Sequence, residues 1–91
     1  MPKTLTELRD EATVLNRTVS RREPGGRERI TAAEDAWKAA ARAEYAPDLN
    51  DAQWALVYAY AYDQGHAAGY SEIENYIIDA ATLVTNVLAA S

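Results

Sequence analysis

A short polar residue followed three positions later by Glu or Gln, at the head of an apolar-periodic run, occurs four times in this chain: Thr4 with Glu7, Thr31 with Glu34, Asn50 with Gln53, and Ser71 with Glu74. In such a pair the first side chain accepts from a free backbone N–H of a helix's first turn, and the second reaches back to the cap's own N–H. Three of the pairs also follow a chain-breaking signal: Pro24-Gly25-Gly26, Pro47 and Gly69. The pattern predicts four helices over about residues 5–20, 32–45, 51–68 and 72–89, capped by Thr4, Thr31, Asn50 and Ser71. The expected fold class is all-α, a single four-helix bundle-like domain, with short connections that favour antiparallel neighbours.

The faces of these segments differ. Leu5, Leu8, Ala12, Leu15 and Val19 form a narrow seam on the first, suited to one partner helix. The second is alanine-rich, with Trp37 as its one large anchor and Glu34, Lys38 and Arg42 on its wet face. The fourth places Ile73, Tyr76, Ile77, Ala80, Val84, Val87 and Leu88 on one side. The third is ambiguous, because residues 54–62 nearly alternate large and small and would put Tyr58, Tyr60 and Tyr62 on one face of a strand. In a helix Tyr58 and Tyr62 share a face and Tyr60 points away. Its cap, its alanine content and the lack of a second strand favour the helix. Such a helix is apolar nearly all round, which places it centrally or at an oligomer interface.

Size sharpens that expectation. The chain has 91 residues, and 19 of its apolar residues are alanine while none is phenylalanine. A chain of this length buries only about 60–65% of its unfolded surface, so its core is thin and part of its apolar surface calls for a partner or a second copy. With no cysteine there is no disulfide, thiol nucleophile or thiolate zinc site. No apolar run approaches the roughly 20 residues of a membrane helix, and the opening MPKTLTELRDE lacks the apolar stretch of a signal peptide. The expectation is a cytoplasmic protein with no membrane role.

Charge is polarised along the chain. All nine cations lie in residues 1–42 with seven acids, a net of +2, whereas residues 43–91 carry seven acids and no Lys or Arg, a net of −7. The total of −5 argues against binding duplex phosphates by bulk attraction. Asp48, Asp51, Glu72 and Glu74 stand at or near helix starts, where the macrodipole favours them. What remains unusual is the missing countercharge, which points to positive charge supplied by the chain's own arginines, a second copy or a basic partner.

The candidate contact residues fall in three groups. Arg21, Arg22, Arg27 and Arg29, in the turn RREPGGRER with Arg17 before it, could clamp a phosphate or an acidic surface, though the segment lacks the Gly-Lys-Ser/Thr ending of a P-loop. Tyr58, Tyr60, Tyr62 and Tyr70 sit in the acidic half, and tyrosine is a typical interface anchor as well as a core filler. His66, with Asp63 three residues before it and Glu72 just past the turn, could be an acid–base or metal pair. One imidazole among carboxylates is a poor zinc set, and the Glu-x-x-His pairs of a di-iron bundle are absent. His66 is better read as the countercharge to the third helix's C-terminal end. No serine, histidine and aspartate arrangement is supported. No catalytic residue, metal or cofactor is expected.

Residues 50–88, and in particular Trp54, Gly65, His66, Gly69, Tyr70, Glu72, Asn75, Tyr76 and Asp79, resemble the C-terminal part of small acidic proteins encoded by bacteriophages. The resemblance implies a small accessory protein of the bacterial cytoplasm that binds a host or defence protein and inhibits or redirects it, in the manner of an anti-CRISPR. The leading expectation is therefore a non-enzymatic, homo-oligomeric interaction protein. One alternative is a nucleic-acid or nucleotide-binding module built on residues 21–29, which the acidic half disfavours. Another is a phage structural or assembly component.

Overall fold

Cap chemistry is local, and it operates where the backbone leaves it room. A computed structural model describes residues 3–90. These residues form four α-helices, α1 (Leu5–Thr18), α2 (Gly26–Tyr45), α3 (Asp51–Gly65) and α4 (Tyr70–Ala90), with no strand among them. The fold class is all-α, as the cap spacing predicts.

Thr4 and Asn50 each build a complete capping box. Thr4 Oγ1 accepts from the Glu7 N–H at 3.1 Å and Glu7 Oε1 accepts from the Thr4 N–H at 3.2 Å. The same pair of bonds joins Asn50 and Gln53 at 2.8 and 2.9 Å. Thr31 and Ser71 do not cap. Gly25 adopts a φ of +76°, its carbonyl accepts from the Arg29 N–H, and α2 therefore begins at Gly26, one and a half turns ahead of Thr31. Gly69, at a φ of +113°, takes the same role for α4, where its carbonyl accepts from the Ile73 N–H. Ser71 then lies inside the first turn, and Glu74 is buried. In both places a glycine free to adopt positive φ starts the helix earlier than the polar pair would.

The contacts group the chain into two compact units, one up to Ala40 and one from Ala41 on, with the division inside α2. In the first, Ala12 of the α1 seam is fully buried, while Leu5, Leu8, Leu15 and Val19 are half-buried. Ile30, Ala33 and Trp37 are buried on α2 at helical spacing. Ile30 belongs to the face that a start at residue 32 would have left out. Gly26 is confined as well, since a Cβ there would stand 2.1 Å from the Ser20 carbonyl oxygen.

In the second unit α3 and α4 form an antiparallel hairpin. Val57, Ala61 and Gly65, four residues apart, are buried on α3, and Ile73, Ile77 and Ala81 repeat that spacing on α4. The closest approach is at Gly65, where a Cβ would lie 2.6 Å from the Ile73 backbone nitrogen. Residues 54–62 are thus helical, held by a small-residue seam that strand pairing would not supply. Arg42, placed by sequence on a wet face, instead ties the α2–α3 connection. Its guanidinium donates to the Leu49 carbonyl at 3.1 Å and pairs with Asp51 at 2.8 Å.

Candidate functional site

The helical period sorts the aromatic residues of α3 onto two sides. Trp54, Tyr58, Tyr62 and His66 form a ladder at four-residue steps, with ring centroids 5.9, 6.2 and 5.3 Å apart. Tyr60 points the other way and meets Tyr76 of α4 edge-on at 6.2 Å. His66 is the C-cap of α3. Its backbone N–H donates to the Tyr62 carbonyl at 2.9 Å, its Nδ1 lies 3.0 Å from the same oxygen, and its ring stacks on Tyr62. These contacts place it at the negative end of the helix dipole. Among the described residues no three His, Cys, Asp or Glu side chains converge as a metal site would require.

The arginines 21–29 are spread over separate elements. Arg21 and Arg22 remain in the turn, where Arg21 donates to Asn16 Oδ1 at 2.7 Å and the Arg22 N–H donates to Ser20 Oγ. Arg27 and Arg29 belong to the first turn of α2, two residues apart and so on nearly opposite sides of the helix. Gly26, whose N–H the turn could have offered to an anion, donates to the Glu23 carbonyl. The geometry gathers no phosphate clamp there, because bidentate recognition needs donors that meet at one point.

The feature that most resembles a site lies on the α3/α4 hairpin. Leu56 is 74% exposed and Leu83 64%, and Tyr60, Val87 and Leu88 are exposed as well. Leu56, Val57 and Tyr60 of α3, with Asp79, Ala80, Leu83 and Val84 of α4, line a groove of about 370 Å³. Along α4, Glu72, Tyr76, Asp79, Leu83 and Val87 fall on one face by helical period, and along α3 so do Leu56, Tyr60 and Asp63. Asp79 thus lines the groove, and the exposed Asp63 and Glu72 stand on the same faces toward the hairpin turn. None of Asp63, Glu72 and Asp79 takes part in an ion pair among the described residues. Of the expected contact residues, Tyr60, Asp63 and Glu72 lie on this face, Tyr58, Tyr62 and His66 on the aromatic ladder, and Tyr70 is buried. Leu56, Leu83 and Asp79 are the residues that sequence reasoning missed.

A family model described as a family of unknown function (DUF8546) matches residues 3–85. The chain belongs to this family. The match reaches into both compact units and includes the arginine segment and the groove, so the DUF8546 relationship takes in the N-terminal half as well as residues 50–85. No curated protein and no solved structure matches the chain. No helix among the described residues is long and apolar enough to cross a membrane.

Proposed function

We propose that this DUF8546 member is a phage-encoded interaction protein that acts in the bacterial cytoplasm, where its α3/α4 face binds a host or defence protein and blocks or redirects it. The observation that carries this reading is the contiguous exposure of Leu56, Tyr60, Leu83, Val87 and Leu88 on two adjacent helices. Large apolar side chains gathered on one face, rather than scattered, mark interaction surfaces. The resemblance of residues 50–88 to phage accessory proteins supplies the cellular context. A second copy is the other occupant such a face could take. In a two-fold pairing, however, Asp63, Glu72 and Asp79 would meet an equally negative surface, which speaks for a partner other than a second copy.

The test is affinity capture from a bacterial lysate with the tagged protein and with a Leu56→Ser/Leu83→Ser variant. Both residues are exposed, so the variant should fold normally. A bacterial protein retained by the wild type and lost by the variant is the expected result. Retention of the same protein by both would move the contact away from α3 and α4, and retention of none would overturn the reading.

A further inference from the structure

The charge along the groove narrows what can fill it. Asp79 lines the groove at its end nearer the hairpin turn, and Asp63 and Glu72 stand on the same faces beyond that end, closer to the turn. The C-terminus of α3 and the N-terminus of α4 meet at that turn, so their dipoles oppose there and the negative charge is carried by the side chains; neither helix has a basic residue in its last turn. No Lys or Arg occurs anywhere in residues 43–91. The furrow between two antiparallel helices has the shape that accepts a third helix, at an axial separation of about 8–10 Å. Glu72 and Asp79 are one heptad apart, which is about 10 Å along the axis.

We infer that the α3/α4 groove takes a basic amphipathic α-helix of another protein, with an apolar stripe seated between Leu56, Tyr60 and Leu83 and with Lys or Arg about seven positions apart beside it. The inference rests on the reading of this face as an interaction surface and specifies its partner. A second copy of the chain offers no such helix. Its cations lie in residues 1–42, where Val14 is the one exposed large apolar residue among those described.

The experiment uses the full chain and labelled synthetic helices of about 16 residues, long enough to span α4 from Glu72 to Val87. One carries a leucine stripe flanked by lysines, a second has glutamates in place of those lysines, and a third keeps the lysines but scrambles the stripe. Fluorescence anisotropy is expected to show the first bound at least about tenfold more tightly than the other two, with affinity falling as salt rises. The variant Asp63→Lys/Glu72→Lys/Asp79→Lys should invert the preference toward the glutamate peptide. Its helicity is checked by circular dichroism, and Asp63→Asn/Glu72→Gln/Asp79→Asn, which should shrink the preference, serves if the first variant unfolds.

Equal binding of the basic and acidic helices would overturn the charge assignment. Equal binding of the scrambled peptide would reduce the interaction to bulk attraction and overturn the groove. Failure of all three peptides, with a dimer in light scattering that Leu83→Asp dissociates, would assign the groove to a second copy instead. Failure of the peptides while lysate capture still depends on Leu56 and Leu83 would sink this inference and leave the proposed function standing. Peptide binding without any captured bacterial protein would do the reverse.

Discussion

Gly65 of α3 and Ile73 of α4 approach so closely that a Cβ on Gly65 would lie 2.6 Å from the Ile73 backbone nitrogen and 2.9 Å from its Cα. Backbone atoms cannot rotate aside as a side chain can, so Gly65→Ala must separate the helices. Helix propensity favours Ala over Gly by only about 0.5–1 kcal/mol, whereas overpacking costs about 1–3 kcal/mol. The expected net is a loss of stability, read as a thermal midpoint lowered by several degrees, about 4–8 °C per kcal/mol for a domain of this size. An unchanged or raised midpoint would mean that the hairpin has slack at its tightest point.

The Thr4–Glu7 box makes a pH prediction. Bonds from the Thr4 backbone N–H and the Thr4 hydroxyl hold the Glu7 carboxyl below its ordinary pKa against the opposing effect of desolvation, with a lesser contribution from the charge of Lys3. A carboxylate whose pKa is depressed by folding stabilises the folded state above its unfolded pKa, and that contribution disappears as pH falls through the folded value. Glu7→Gln should therefore lower the thermal midpoint at neutral pH, and the gap between variant and wild type should close on acidification below the normal glutamate range. A gap that stays constant with pH would assign the box to neutral hydrogen bonding alone.

Which parts of this molecule could be read from sequence follows from the range over which the determining forces act. Thr4 and Asn50 were legible because a capping box is closed by atoms three residues apart. Thr31 and Ser71 carry the same spacing and fail, because Gly25 and Gly69 adopt positive φ and start the helices first. The separation of Tyr58 and Tyr62 from Tyr60 follows from helical period and is present. The groove was not legible. A helix apolar nearly all round does not reveal which side stays open, and that is decided by how Val57, Ala61 and Gly65 meet α4. Leu83 was the available signal, an extra large apolar residue outside the best stripe of α4. The role of Arg42 was hidden for a similar reason, since its two partners lie across a loop.

Arg42 separates two contributions that a count of ion pairs would merge. Asp51 is 96% exposed in its side chain, so its pairing with Arg42 is screened by solvent and contributes little. The Leu49 backbone is buried, and the bond from Arg42 to its carbonyl satisfies an acceptor in the loop. Arg42→Ala should thus cost about 1 kcal/mol, more than Asp51→Asn. Urea unfolding of both variants checks the order, and a larger loss for Asp51→Asn would reverse the assignment.

Trp37 is fully buried and is the largest side chain so placed. The other buried hydrophobic residues are mostly alanine and isoleucine, so its removal takes away the largest single volume of the core. Trp37→Ala is expected to cost about 3–5 kcal/mol, a large part of the roughly 5–15 kcal/mol that stabilises a small domain. With Trp54→Phe as background, tryptophan emission of the otherwise wild-type protein should be blue-shifted when folded and move to the red on unfolding. Emission already red-shifted in the native state would contradict the burial of Trp37.

Leu56 and Val57 are adjacent on α3 and face opposite environments, one 74% and the other 3% exposed. Truncating a buried valine loses its transfer and packing energy, so Val57→Ala should cost about 2 kcal/mol. Leu56→Ala should stay within about 0.5 kcal/mol of wild type, as substitutions at open surface do. The comparison asks whether the groove is open in the free protein. If Leu56→Ala costs as much as Val57→Ala, and the cost grows with protein concentration, a second copy already covers the face. If Leu56→Ala is neutral, the apolar stripe is held in water by the folded chain alone. The free energy of covering it is then available to a partner, which the proposal above takes to be basic.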